Sequence, residues 1–176
     1  RVVLGISGGL DSTLTLLFAY STYKKYGLDP KNIFAITMPG LGTGSKSKNI
    51  AINLMEKLGV TKQEVSIKKE AIGHLKLLGK DTSDKNVTYE NVQARIRTMY
   101  LMNLANEVGG IVLGTGDMSE IALGWSTFNG DHMSMYSLNS GLPKTTIKAL
   151  VKFKIIFAPI KGIIILSTAS NILANA

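Results

Sequence analysis

Apolar positions along this chain fall into short unbroken blocks separated by stretches with a helical period. Val2-Val3-Leu4-Gly5-Ile6 is a continuous apolar run of the kind a strand buried on both faces requires. The loop Ser7 to Ser12 follows, and the pattern predicts a helix over Thr13 to Tyr26, punctuated by Gly27 and Pro30. A second strand is expected over Ile33 to Met38, then the loop Pro39 to Gly44 and a helix over Lys46 to Leu58 stopped by Gly59. Glu64 to Ile67 reads as a third strand, Glu70 to Leu78 as a short helix, and Gly79 to Thr88 as a polar connection. Tyr89 to Val108 carries the strongest helical pattern, ends at Gly109-Gly110, and leads into a fourth strand at Ile111 to Leu113.

Strands alternating with helices imply an α/β fold whose parallel sheet is covered on both faces. Such sheets bind ligands beyond the carboxyl ends of their strands, where the strand order reverses. The loops after Ile6, Met38 and Leu113 are therefore the candidate ligand loops, and all three are rich in Gly, Ser and Thr.

The length of 176 residues suits a single domain spanning 1–176. With 45% hydrophobic and only 18% charged residues, the chain is not an intrinsically disordered one. Cysteine is absent, which excludes disulfide staples and a thiol nucleophile and fits a reducing, cytoplasmic setting. The net charge of +8 favours polyanionic partners such as nucleotides. No basic block of five residues occurs, which argues against a nucleic-acid-binding arm. The apolar stretch Ile155 to Leu166 is broken by Pro159 and Lys161 and is too short to span a bilayer. The chain opens at Arg1 directly on a strand and reads as a piece of a longer protein, without a signal peptide.

Ser7-Gly8-Gly9-Leu10-Asp11-Ser12 lies between the first strand and the first helix. Its glycines let backbone N–H groups approach an anion, Ser7 and Ser12 supply hydroxyls, and the helix start adds partial positive charge. A carboxylate at Asp11 does not suit a bare phosphate, but it suits one bound together with Mg²⁺. A merely capped helix would need Asp or Ser but not both glycines. The Gly-Lys-Ser/Thr ending of a P-loop is missing.

The loop resembles the Ser-Gly-Gly-x-Asp-Ser signature of the ATP pyrophosphatases. Later segments are similar to NAD synthetases: Val87 to Arg97, Gly114-Thr115-Gly116-Asp117-Met118-Ser119-Glu120, Ala122 to Thr127, Asn129 to Tyr136 and Gly141 to Thr145. The likeness runs to about Leu150 and is greatest to the synthetase domain of glutamine-dependent enzymes. It implies a three-layer α/β/α fold with a mostly parallel, Rossmann-like sheet. It also implies ATP-dependent amidation of deamido-NAD to NAD through an adenylated carboxylate, with ammonia as nitrogen donor and AMP and pyrophosphate released. By the resemblance, Ser7, Gly8, Gly9, Asp11, Ser12, Thr115 and Lys144 bind ATP. Asp11 and Glu120 hold Mg²⁺, and Asp11, Glu120 and Lys144 form the catalytic set. Arg95, Asp131, Asn91 and Gln93 are assigned to deamido-NAD. A homodimer is implied, with deamido-NAD bound across its interface, as is a glutamine amidase domain upstream or in a partner.

Helical geometry divides the arginines, because Arg95 and Arg97 stand roughly 200° apart. Asn91 shares a face with Arg95 and Gln93 with Arg97. The resemblance favours Arg95, and Arg97 is left as a surface or interface charge. Ser45-Lys46 stands where the family carries Asp-Arg, so that arginine's role on ATP passes to Lys46. Residues 151–176 diverge from the family pattern: Lys144 to Ala176 holds five lysines and no acid, and Thr168 is the only candidate for a late ATP contact. His74 is read as structural, Trp125 with Leu123 as core, Met99, Met102 and Leu104 as helix packing, His132 as a polar loop residue, and Lys46 and Lys48 as a solvated face.

Two rivals remain at this point. An RNA-modifying pyrophosphatase suits the positive charge but commonly needs a cysteine. A catalytically inactive nucleotide-binding fragment would have no need of both Asp11 and Glu120.

Overall fold

The apolar blocks pair side by side in parallel. The computed structural model describes residues 1–156, so the expectations placed on the end of the divergent tail and on Thr168 lie outside the described residues. The strands are β1 (Val2–Gly5), β2 (Ile33–Thr37), β3 (Thr61–Glu64), β4 (Ile111–Gly114) and β5 (Tyr136–Ser137). They form one sheet in the order β3-β2-β1-β4-β5, and every pairing is parallel. The helices are α1 (Leu10–Lys25), α2 (Ser45–Leu58), α3 (Lys68–Leu77), α4 (Val87–Val108), α5 (Met118–Leu123) and α6 (Lys144–Ile156).

Alternation along β1 shows why the first block is apolar throughout. Leu4 and Ile6 enter a core with Leu14 and Leu17 of α1, Leu54 and Met55 of α2, and Ile147 and Val151 of α6. Val3 faces the other way and packs with Ile36, Val112 and Ala105, beneath α4. Both faces of the central strand are thus buried between helical layers, giving the expected three-layer α/β/α architecture. A strand at the edge of the sheet needs no such run.

That difference accounts for the misplaced third strand. It was expected over Glu64 to Ile67 but runs over Thr61–Glu64, whose side chains are half-buried or exposed in alternation. Backbone pairing with Phe34 to Thr37 holds this polar edge strand. The apolar residues Val65 and Ile67 continue alongside β2 through single bonds, Val65 N–H to Thr37 O at 2.9 Å and Ile67 N–H to Pro39 O at 3.1 Å.

Helix ends follow local chemistry. The Asn86 side chain accepts from the N–H groups of Thr88 and Tyr89, so α4 starts two residues before the expected Tyr89. Gly59 and Gly109 close α2 and α4 in the left-handed conformation, as their positions predicted. The short elements α5 and β5, and helix α6, were not anticipated. Trp125 and Leu123 are corrected: they are 78% and 79% exposed and lie outside the cores formed by the described residues. Met99 is likewise exposed, although Met102 and Leu104 pack under the sheet as expected.

The chain builds β1, β2 and β3 outward on one side, then returns to place β4 and β5 on the other. The order therefore reverses between β1 and β4. The loops after these two strands face each other across that crevice.

Candidate active site

The loop after β1 is shaped by its own hydroxyls. Ser7 N–H donates to Ser12 Oγ at 3.3 Å, Gly9 N–H donates to Ser7 Oγ at 3.2 Å, and Ser12 Oγ–H donates to Gly9 O at 3.2 Å. Gly8 turns the chain at φ +88°, and a Cβ there would collide with the Ser47 carbonyl of α2. Helix α1 begins at once, without a side-chain cap on Gly9, and places Asp11 in its first turn. A carboxylate is favoured there by the helix dipole.

The loop after β4 brings the second half of the site. Asp117 caps α5 by accepting from Glu120 N–H at 2.7 Å, while Glu120 Oε2 accepts from Asp117 N–H at 3.2 Å. This reciprocal box fixes Glu120 relative to Asp117. Carboxylate oxygens of Asp11, Asp117 and Glu120 lie within 4.8 Å of one another. Lys144, the first residue of α6, joins all three, with Nζ 2.8 Å from Asp11 Oδ2, 2.6 Å from Asp117 Oδ2 and 3.5 Å from Glu120 Oε1.

Burial works against the Lys144 charge. Hydrogen bonds to Asp11 and Asp117, with the charges of Asp11 and Glu120, outweigh it and hold the ammonium pKa above its ordinary value. Burial also pushes Asp117 upward, yet the bonds from Lys144 and from the Glu120 and Ser119 backbone hold its pKa below the usual carboxylate value. Asp11 Oδ1 is buried and has no hydrogen-bond partner among the described residues.

Asn139 ties the two halves together from beneath. Its fully buried Nδ2 lies 3.1 Å from each of three acceptors, Asp11 O, Thr15 Oγ1 and Thr115 O. The sequence reading singled out neither Asn139 nor Asp117. For Asp117 a signal existed, since Asp-x-x-Glu immediately after a strand is a capping-box pattern.

A cavity of about 950 Å³ opens along the carboxyl edge of the sheet. Ser7, Asp11, Ser12, Asn91, Thr115, Glu120 and Asp131 line it. Lys144 is outside the lining but bonded to two residues within it. Asn91 and Asp131 are also bonded to Thr127, whose Oγ1–H donates to Asn91 Oδ1 and whose N–H donates to Asp131 Oδ1. His132 Nδ1 lies 2.7 Å from Thr127 O, in keeping with a polar loop role.

The α4 residues fall differently from expectation. Gln93 is buried and committed to the backbone: Oε1 accepts from Leu41 N–H at 2.8 Å and Nε2 donates to Tyr89 O at 3.0 Å. Arg95 is exposed, donates to Phe128 O and does not line the cavity. Arg97, read as a surface or interface charge, lines it. Lys48 pairs with Glu64 at 3.1 Å, and Lys46 sits exposed in the first turn of α2.

A parallel sheet with this loop at its switch point makes this a Rossmann-like α/β domain. The sequence model of the NAD synthase family matches residues 1–161, and the chain belongs to that family. That match continues past Leu150, where the resemblance was expected to fade.

A glutamine-dependent NAD(+) synthetase of Mycobacterium tuberculosis is 49% identical over 162 residues, covering 88% of this chain and 24% of that protein. The structure of a glutamine-dependent NAD+ synthetase from Acinetobacter baumannii, in complex with adenosine diphosphate, superposes with a TM-score of 0.79 at 32% identity over 88% of this chain and 28% of that one. An NH3-dependent NAD synthetase from Campylobacter jejuni superposes with a TM-score of 0.77 at 27% identity, over 99% of this chain and 67% of that one. The chain spans about a quarter of the length of the curated relatives it matches.

Proposed function

We propose that this domain catalyses the ATP-dependent amidation of deamido-NAD to NAD. The observation that carries the reading is the meeting of Asp11, Asp117, Glu120 and Lys144 beside the phosphate loop, at the reversal of strand order in a NAD synthase family fold.

ATP phosphates lie on the Ser7–Ser12 loop at the N-terminus of α1, where Gly8 and Gly9 let backbone N–H groups come close. The nicotinate carboxylate of deamido-NAD attacks the α-phosphorus, the bond to the β-phosphate oxygen breaks, and pyrophosphate leaves. The carboxylate is ionised near neutral pH, so this step needs no general base. Ammonia then attacks the acyl carbon, the bond to AMP breaks, and the nitrogen loses a proton to give the amide. The adenylate must be shielded from water, which would otherwise hydrolyse it.

Mg²⁺ fits the three carboxylates, an all-oxygen donor set with a buried, unpartnered Asp11 oxygen. Bound there by Asp11 and Glu120, it would offset the phosphate charge. Lys144 follows the phosphates as negative charge builds on them. Asn91 and Asp131, held by Thr127, bind deamido-NAD from the α4 side, and Thr115 contacts ATP. Free ammonia or an amidase domain upstream or in trans supplies the nitrogen. The cytoplasm is the proposed location and a homodimer the proposed assembly, in which a second copy would cover the exposed apolar side chains of Leu123, Trp125 and Phe128.

Exchange of labelled pyrophosphate into ATP, measured without ammonia, tests the adenylation half. Exchange that requires both Mg²⁺ and deamido-NAD, and is lost in Asp11→Ala, is expected. No exchange in the wild-type chain would overturn the reading.

A further inference from the structure

The two arginines of α4 separate cleanly: Arg95 reaches outward to a loop carbonyl, and Arg97 reaches into the cavity. Building on the amidation reading, we propose that Arg97 is a substrate-binding residue whose guanidinium takes an oxyanion, phosphate or carboxylate, of ATP or deamido-NAD.

Placement is the first argument. Arg97 Nε donates to Met38 O at 3.1 Å, at the carboxyl end of β2. Strand β1 is the neighbour of β2, and its register of Gly5 opposite Ile36, carried forward, sets Ser7 beside Met38. One strand spacing is about 4.8 Å, so the guanidinium stands within roughly 10 Å of the start of the phosphate loop.

Charge is the second. Among the described residues Arg97 forms no ion pair, although Glu90 and Asp131 lie near enough to favour its charge. Its hydrogen bond to Met38 O uses a single donor of the five a guanidinium carries. A partly buried cation of this kind is suited to planar, two-pronged binding of carboxylate or phosphate.

A purely structural role explains less. The loop after β2 is already fastened to α4 by neutral Gln93, through Leu41 N–H. Gly40 leaves room for the guanidinium, since a Cβ there would stand 2.7 Å from Arg97 Nη2. Fastening a loop needs a donor, not a fixed positive charge.

The test is calorimetric titration of the full chain, in Mg²⁺, with ATP, deamido-NAD, NAD and adenosine, on wild type, Arg97→Gln and Arg97→Lys. Arg97→Gln is expected to lose at least tenfold in affinity for ATP or deamido-NAD while adenosine, which carries no anion, binds unchanged. A loss confined to ATP identifies its phosphates as the ligand. A loss for deamido-NAD but not NAD identifies the nicotinate carboxylate, and an equal loss for both identifies their pyrophosphate. Arg97→Lys keeps the charge and a donor for Met38, so it is expected to melt like wild type yet recover only part of the affinity. Unchanged anion affinity in either variant, or a proportional loss of adenosine, overturns the proposal and leaves Arg97 a loop fastener. A wild-type chain that binds ATP but not deamido-NAD defeats the amidation reading, and Arg97 is then judged on ATP alone. Binding of neither by the wild type defeats both.

Discussion

Lys144 meets three carboxylates at once, and its partner Asp117 has no exposed surface, so the strength of this cluster depends on pH in a definite direction. Folding lowers the Asp117 pKa, so its ionised form stabilises the chain above the unfolded value near ~3.9. That contribution fades as pH falls through the lower folded value. Lys144 behaves oppositely: folding raises its pKa, so its contribution is complete below the unfolded value near ~10.4 and disappears only as pH rises through the folded one. Both contributions are complete near neutrality. Asp117→Asn keeps a good N-cap and removes only the charge. Urea unfolding is therefore expected to show a shallower loss of stability below about pH 4 in Asp117→Asn than in wild type. Equal acid slopes would contradict the role given to the charge. Asp11, Glu120 and Lys144 were readable because they fall in ordered motifs. Asn139 carried no local signal, since it bonds to residues as far as 128 positions away.

Short elements carry the site. One side of the crevice carries Glu120 on a six-residue helix, and the sheet beyond it ends in a two-residue strand, neither long enough to leave a period in the sequence. Buried β1, β2 and β4 were legible because they need continuous apolar runs. Edge strand β3 slipped because backbone bonds alone define it. Two substitutions test this scale. Gly8→Ala combines a positive φ with a backbone collision, and is expected to cost more than about 2 kcal/mol and abolish ATP binding. Gly59→Ala shares the positive φ but meets nothing within 4 Å, so it is expected to cost about 1 kcal/mol and leave ATP binding intact. Similar ATP affinity in the two variants would contradict the loop assignment. Asn139→Ala removes the bridge between α1 and the loop after β4. It is expected to destabilise the chain by about 1–3 kcal/mol in urea titration.

At the scale of the molecule, alternating strands and helices determined the sheet, the sheet determined where its order reverses, and the reversal located the site. This was the most legible level, because it depends on the sum of many side chains rather than on any one. The exposed side chains of Leu123, Trp125 and Phe128 were less legible, since an apolar residue reads as core until its neighbours are known. Sedimentation is expected to show a dimer that Trp125→Glu weakens; an unchanged monomer would remove that assembly from the account. The most direct measurement is turnover of the full chain with ATP, Mg²⁺, ammonium and deamido-NAD, following NAD and AMP together. The account predicts NAD and AMP in equal amounts, both lost in Asp11→Ala. AMP without NAD, or neither product from a chain that still binds ATP, would contradict it.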